Sequence, residues 1–292
     1  MRKFDFAEPA QLHEVSALLR RYGDDAKLFA GGTALLQFLK KGLVRPAVLV
    51  SLRRLAELRG VEPDHGGLRI GAMVSHREME WSGPVQAIYP SLWAAEAGVA
   101  NPRIRNMATV GGNLCHADPN QDPPVALIAL GGRLRVMGPR GERFIPAEEF
   151  FRDYYENALE PGEVLVSIHL PAPGERVHTA YTKFSPRTAD DFGTVTCCAA
   201  LEVDPGTGVC RTARLAVGCV HSVPWRSRAA ENLLAGGPVT ADRAAAAAAS
   251  VAAEVHPAGD VRGSAGYKRE MVKVMVRRTI LRAAAGSVQR GA

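Results

Sequence analysis

A glycine-containing stretch in the first half of the chain has residue types suited to binding an anion. It carries the run Thr109-Val110-Gly111-Gly112-Asn113. Threonine offers a hydroxyl, and consecutive glycines let the backbone turn with positive φ and approach a ligand closely, so that exposed amides can face anionic oxygens. We interpret this run as one half of a diphosphate-binding cradle.

A second candidate half lies upstream, in the run Ala30-Gly31-Gly32-Thr33-Ala34-Leu35, which opens an apolar segment of helical character. Amides at a helix N-terminus favour an anion, and two such loops suit two phosphates. Either loop taken alone is also consistent with an ordinary tight turn. The two loops with their flanking residues favour the cradle.

Titratable residues surround the downstream loop. His116 either contacts a ligand or bonds its own turn. Asp118 and Asp122 are either turn-capping carboxylates or, for Asp122 especially, ligand contacts. Arg103 and Arg105 precede the loop in a predicted basic turn. They either bind a phosphate, pair with a carboxylate of a partner protein, or form a simple ion pair at the surface.

Composition and missing motifs exclude several classes of protein. The chain has 292 residues and a net charge of +6, but only 6% aromatic residues, and no basic run interleaves with them, so no nucleic-acid partner is expected. The five cysteines lack CxxC spacing, so they indicate neither a metal site nor a disulfide framework. They are consistent with a reducing compartment. No GxGxxG, GxxxxGK[ST], GxSxG or HExxH motif is present. No apolar leader or membrane span is visible, which predicts a cytoplasmic protein without integral membrane contact.

The elements that must position the loops form a mixed pattern of helices and strands. Apolar periodicity predicts helices over residues 9–22, 34–41, 84–98, 125–130, 241–255 and 264–285. It predicts strands over residues 27–30, 47–50, 68–72, 133–137, 164–170, 180–185, 195–203 and 215–220. Ser75 and Glu78 have the spacing of a capping box that opens another helix.

Five blocks of sequence resemble one known family in the same order along the chain. They comprise residues 29–36, residues 105–122, residues 161–168, the run Lys183-Phe184-Ser185-Pro186-Arg187 with Asp190 or Asp191, and residues 260–267. The family is the FAD-binding (medium) subunit of molybdenum hydroxylases of the carbon monoxide dehydrogenase and xanthine dehydrogenase type.

The resemblance implies an α+β fold with a two-part FAD-binding domain of the vanillyl-alcohol-oxidase type. A smaller C-terminal domain with a three-stranded sheet and helices follows. We expect the FAD-binding domain over residues 1–172, with subdomains of about 1–55 and 56–172, and the C-terminal flavoprotein domain over residues 173–292.

The resemblance also implies which residues bind FAD. Both glycine loops hold the pyrophosphate, Asp122 reaches toward the flavin, Leu165 touches the isoalloxazine edge, and Lys183 lies near the ring. A cation there stabilises negative charge on the ring and raises its potential. Ala34 replaces a residue that is often polar in the family. The full expected set is Ala30, Gly31, Gly32, Thr33, Ala34, Leu35, Thr109, Val110, Gly111, Gly112, Asn113, His116, Asp118, Asp122, Leu165 and Lys183.

By the same resemblance, the chain is the flavin subunit of a heterotrimeric molybdenum hydroxylase, with no catalytic residue and no metal of its own. A large molybdopterin subunit and a small subunit with two [2Fe–2S] clusters are the expected partners, in a dimer of heterotrimers. Electrons pass from the clusters through FAD to an external acceptor. The alternatives are a solitary flavin-binding or assembly protein and a free-standing flavin oxidase.

Overall fold

The computed structural model describes residues 3–289, with side chains to residue 286, and its first unit is a small parallel sheet with two helices. The unit comprises β1 (Asp5–Ala7), α1 (Leu12–Tyr22), β2 (Ala26–Phe29), α2 (Leu35–Lys41) and β3 (Val48–Ser51). The strands are parallel in the order β1-β3-β2, and the central strand is buried throughout. Short 3₁₀ turns follow α1 and β3, at Gly23–Asp25 and Ala56–Leu58. The ends of the predicted domains, residues 1–2 and 290–292, lie outside the described residues.

The second unit is an antiparallel sheet covered by short helices. Its strands are β4 (Val61–Asp64), β5 (Gly67–Gly71), β6 (Arg133–Gly138), β7 (Gly141–Pro146), β8 (Phe151–Asp153), β9 (Glu156–Asn157) and β10 (Val164–Leu170). Its helices are α3 (His76–Trp81), α4 (Gly83–Ile88), α5 (Pro90–Ala97), α6 (Pro102–Met107), α7 (Val110–His116), α8 (Pro123–Ala129) and α9 (Ala147–Phe150). Five strands pair in the order β4-β5-β10-β6-β7, and β8 pairs with β9. The predicted capping box is confirmed, since the Ser75 hydroxyl accepts from the Glu78 amide and the Ser75 amide donates to the Glu78 carboxylate.

The single helix predicted over residues 84–98 is wrong, because two helices occupy this stretch. Tyr89 lies between α4 and α5 with φ −128° and ψ 64°. A proline disfavours helical geometry in the residue before it, so Pro90 ends one helix and begins the next.

The turn predicted over residues 101–106 is also wrong, because most of it is helix α6. The Asn101 side chain caps this helix by accepting from the Arg103 and Ile104 amides at 3.1 and 3.2 Å. Arg105 is buried and donates to the half-buried Glu80 carboxylate at 2.9 Å, so Arg105 is not a simple surface partner.

The third unit is an antiparallel sheet with helices on one face. It comprises β11 (Val177–Phe184), β12 (Val195–Val203), β13 (Val209–Gly218), β14 (Trp225–Arg226), α10 (Arg228–Leu234), β15 (Gly237–Pro238), α11 (Ala241–Glu254) and α12 (Ala265–Gln289). The three long strands pair in the order β11-β12-β13, and the two short strands both pair with β13. Helix α12 packs on β11 and β12, and α11 packs on α12.

Strand β12 joins two hydrophobic cores. Cys197 faces the core that the sheet shares with α11 and α12, whereas Cys198 faces the core of the second unit. The sequence prediction that these adjacent cysteines point to opposite faces is therefore confirmed. Helix α8 belongs to the second unit and packs against β12 and β13 of the third unit, so this contact joins the two units.

Over residues 3–289, no helix has the length and apolar character needed to cross a bilayer.

Leu127 in α8 tests the packing of this helix in the core of the second unit. It is 1% exposed. We expect Leu127→Ala to lower the free energy of unfolding by about 2–5 kcal/mol, through lost transfer energy and the remaining cavity. Urea denaturation of the two proteins measures the difference. Leu43→Ala is the control, since Leu43 is 68% exposed, and its change is expected to stay within about 0.5 kcal/mol.

Candidate functional site

A cavity of about 680 Å³ lies where the three units meet. Its volume falls in the range of small-molecule and cofactor sites. Residues of α2 and the preceding loop line one end, Lys183 from β11 lines the other, and Leu165 from β10 also lines the cavity. The cavity is therefore built by elements that are far apart in sequence.

The upstream glycine loop presents free amides to this cavity. Gly32 has φ +74°, a conformation that side-chain-bearing residues rarely adopt. In the described part of the chain, the amides of Gly32, Thr33 and Ala34 donate to no protein acceptor. Buried or half-buried amides are normally paired, so these donors are available to a ligand.

The downstream glycine loop is the N-terminus of α7. Thr109 caps the helix by accepting from the Gly112 amide at 3.1 Å. The prediction that Gly111 and Gly112 adopt positive φ is wrong, since both have helical geometry. Glycine is required at position 111 for close packing instead, because an added Cβ would lie 2.6 Å from the Ala72 carbonyl oxygen.

The two loops touch each other. A Cβ on Gly31 would overlap the carbonyl oxygen of Met107, directly before the downstream loop, and a Cβ on Gly112 would lie 3.6 Å from the Ala30 Cβ. The structure thus brings the two predicted half-sites together as one continuous surface.

Buried polar atoms without a protein partner lie along the same cavity. They include Asn113 Oδ1 and Gln121 Oε1, and both residues line the cavity. An unpaired buried polar atom costs about 1–3 kcal/mol. A ligand that offers hydrogen-bond donors to these oxygens removes that cost.

The far end of the cavity carries a buried ion pair. Lys183 Nζ donates to Asp122 Oδ2 at 2.9 Å and to the Gly98 carbonyl at 2.8 Å. The Tyr181 hydroxyl donates to Asp122 Oδ1 at 2.6 Å. Burial raises the pKa of the Asp122 carboxyl, while the nearby Lys183 and the hydrogen bond from Tyr181 oppose that rise. The pair places a positive charge at the cavity wall and holds it there.

A second charged group borders the cavity near this end. Arg262 donates to Asp191 at 2.7 Å and lies over the Phe192 ring at 5.4 Å. The Arg262 guanidinium holds the pKa of Asp191 below its usual value. This ion pair ties the loop before β12 to the segment before α12.

His116 lines the cavity within an aromatic cluster. Its ring centre lies 5.4 Å from that of Phe38 and 5.1 Å from that of Tyr155. Burial lowers the pKa of His116, which Asp118 partly opposes. The histidine therefore belongs to the cavity wall.

Most of the residues expected from the sequence line the cavity, with two exceptions. Val110 packs in the core of the second unit. Asp118 does not line the cavity, and its carboxylate accepts from the Asn120 amide and the Tyr155 hydroxyl. The residues that do line it are Ala30, Gly31, Gly32, Thr33, Ala34, Leu35, Thr109, Gly111, Gly112, Asn113, His116, Asp122, Leu165 and Lys183.

The sequence prediction missed other lining residues, including His76 and Gln121. His76 follows the capping serine of α3, and Gln121 lies between Asp118 and Asp122. Neither has a motif that marks it as a site residue.

Among residues 3–289, no group of three or more His, Cys, Asp or Glu side chains is placed to hold a metal ion. Burial raises the pKa of the Cys197 and Cys219 thiols to about 12, so neither is a thiolate at neutral pH.

The buried hydroxyl of Tyr181 tests the ion pair. We expect Tyr181→Phe to lower the free energy of unfolding of the ligand-free chain by about 1.5–3 kcal/mol, since a hydrogen bond to a charged group is lost. Chemical denaturation at pH 7 measures it. Tyr154→Phe serves as the control because Tyr154 is 50% exposed, and no change is expected there. An equal effect of both substitutions would contradict the role of the hydroxyl.

Comparison with known sequences places both halves of the chain in described families. Residues 2–173 match the FAD binding domain in molybdopterin dehydrogenase. Residues 180–283 match the CO dehydrogenase flavoprotein C-terminal domain.

Individual relatives match over nearly their whole length. The carbon monoxide dehydrogenase medium chain of Hydrogenophaga pseudoflava is 35% identical over 95% of this chain and 96% of its own. The xanthine dehydrogenase FAD-binding subunit of Escherichia coli O157:H7 is 32% identical over 97% of this chain and 98% of its own.

The structure agrees with these sequence matches. A chain of carbon monoxide dehydrogenase from Hydrogenophaga pseudoflava superimposes with a TM-score of 0.94 at 36% identity, covering 98% of each chain. The α+β fold in two domains, the cofactor FAD and the assignment to oxidoreductases are confirmed. The chain belongs to the family of FAD-binding subunits of molybdenum hydroxylases, whose members include the medium chains of carbon monoxide dehydrogenase.

Proposed function

We propose that this chain holds FAD in the cavity between its three units and passes electrons from the [2Fe–2S] clusters of a partner subunit to an external acceptor. FAD, when bound, supplies reversible electron transfer. The observation that carries the proposal is the junction of the two glycine loops, where free amides of one loop lie beside the helix N-terminus of the other.

The residues of the cradle fit the pyrophosphate of FAD. The amides of Gly32, Thr33 and Ala34 are donors without a protein acceptor, and backbone donors at a loop or helix start bind phosphate well. The substitution of alanine at position 34 removes a side-chain bond but keeps this amide. At Gly112, which is exposed, the absence of a side chain leaves room for the phosphates.

The residues at the other end fit the isoalloxazine ring. Leu165 supplies an apolar contact, and Lys183 supplies the positive charge that Asp122 holds in place. A fixed cation next to the ring favours added electrons and raises the potential. In this proposal, the chain tunes the flavin and contributes no acid–base step to substrate turnover.

The proposed partners are a large molybdopterin subunit and a small [2Fe–2S] subunit, joined in a dimer of heterotrimers. The names of relatives support such an assembly, among them the 6-hydroxypseudooxynicotine dehydrogenase complex subunit alpha of Paenarthrobacter nicotinovorans. The domain limits proposed from the sequence, 1–172 and 173–292, are supported by the family matches over 2–173 and 180–283. A cytoplasmic location stays a prediction from the sequence.

The solitary flavin protein and the free-standing oxidase are the competing functions. Affinity purification of the full chain from its native cells distinguishes them. Two stoichiometric polypeptides that carry molybdenum and iron are expected with this chain. Purification of the flavoprotein alone would support the solitary forms.

Gly112→Asp tests the cradle. We expect the variant to lose FAD, because its carboxylate enters the space that the phosphates occupy and repels them, and because its Cβ lies 2.9 Å from Thr109 Oγ1, which caps α7. Flavin released by denaturation and measured per chain gives the result. Gly83→Asp is the matched control, since a side chain at Gly83 meets no atom within 4 Å and Gly83 does not line the cavity. Full flavin content in Gly112→Asp would refute the cradle.

Lys183→Met tests the ring end of the cavity. We expect the variant to keep FAD but to lower the flavin reduction potential by tens of millivolts, since about 30 mV corresponds to 1.4 kcal/mol for a two-electron couple. Spectroelectrochemical titration measures the shift. Lys273→Met is the control, because Lys273 pairs with Glu270 on the surface of α12. An unchanged potential in Lys183→Met would contradict the ring-side role.

A further inference from the structure

A buried histidine and glutamate form a pair at the cavity that the proposed function does not use. His76 Nδ1 and Glu96 Oε2 are 2.5 Å apart, and both side chains are 0% exposed. His76 lies in α3 and Glu96 in α5, which pack together. Ionisable residues are almost never fully buried unless they are paired.

His76 is a wall residue of the cavity beside the downstream glycine loop. It lines the cavity, and its amide donates to the Ala108 carbonyl at 3.1 Å. The preceding residue, Ser75, forms a β-bridge with Thr109. The imidazole is thus anchored through its backbone to the same loop that builds the cradle.

One polar atom of this ring has no protein partner. The Nε2 atom lies on the ring edge away from Glu96 and makes no hydrogen bond. Glu96 Oε1 is also unpartnered. A histidine with one nitrogen fixed by a carboxylate and the other free is oriented to bind through the free nitrogen.

The charge balance of the pair decides which role Nε2 plays. If both residues are charged, or if Glu96 keeps the shared proton and His76 is neutral, then Nε2 carries a hydrogen. In the third state, Glu96 is charged, and His76 is neutral and donates through Nδ1. Only in this state does Nε2 carry no hydrogen. An unpaired buried charge costs several kcal/mol, so the first two states are favoured.

We propose that His76 Nε2 is a hydrogen-bond donor to an acceptor oxygen of the bound FAD, and that Glu96 orients the ring for this contact. The inference rests on the proposed binding of FAD in this cavity. The phosphate and carbonyl oxygens of FAD supply the acceptor. The structure offers no other partner for this nitrogen among the residues that it describes.

The chain contains a matched control for this pair. His169 Nδ1 lies 2.6 Å from Asp64 Oδ2, but this half-buried pair does not line the cavity, and Ser167 Oγ occupies the other ring nitrogen at 2.9 Å. Each histidine has a carboxylate partner of its own. Of the two, only His76 has a ring nitrogen without a partner among the described residues, and only His76 lines the cavity.

The test measures FAD affinity of the flavin-free full chain by quenching of flavin fluorescence. We expect His76→Leu to weaken binding about tenfold or more, which is the size of one hydrogen bond to a charged group. His76→Gln keeps an N–H donor and is expected to restore most of the affinity. His169→Leu is expected to bind within about twofold of the wild type. Equal affinity of His76→Leu and the wild type would overturn the proposal and leave the pair a purely structural role.

A second measurement keeps the proposal testable if His76→Leu does not fold. In the wild-type chain labelled with ¹⁵N-histidine, the His76 Nε2 resonance is expected to shift on addition of FAD while that of His169 stays in place. An unshifted His76 resonance with FAD bound would overturn the proposal. Failure of the wild-type chain to bind FAD would instead count against the proposed function.

Discussion

The close approach of two backbone segments is the constraint on which the site depends. Gly31 packs against the carbonyl of Met107 so tightly that no side chain fits between them. This contact fixes the loop after β2 against the loop before α7, although some 75 residues separate them. The upstream loop follows β2, and the downstream loop is bonded to the segment after β5, where the Gly111 and Val110 amides donate to the Ala72 and Val74 carbonyls. The orientation of the free amides follows from this contact.

The two ends of the cavity use different physical means to hold charge. At the glycine end, backbone dipoles face the cavity and no cationic side chain is needed. At the other end, Lys183 is paired with Asp122, whose second oxygen accepts from Tyr181. Backbone donors cannot titrate, and the ion pair is fixed on both sides, so the electrostatic field along the cavity is largely set by the fold.

Much of this arrangement follows from the sequence, and the errors have specific causes. The Ser75 capping box and the opposed faces of Cys197 and Cys198 depend on local patterns, and the structure agrees with them. The turn predicted at Pro102 is wrong, because proline also begins helices. Gly111 is needed for packing against Ala72, and a Cβ at Gly112 would lie 2.9 Å from Thr109 Oγ1. No local pattern distinguishes these steric requirements from a need for positive φ. The pairing of His76 with Glu96 depends on how α3 packs on α5 and has no periodic signal.

Strand β12 couples the unfolding of the C-terminal sheet to that of the FAD-binding portion. Because Cys198 and Ala216 complete the core of the second unit, the C-terminal sheet is also part of the interior of the FAD-binding portion. Separating the two would expose an apolar surface on each, so the two portions are expected to unfold as one cooperative block and not as independent modules. The ion pair at Lys183 spans that same junction, so loss of the C-terminal sheet would remove one wall of the cavity together with its charge.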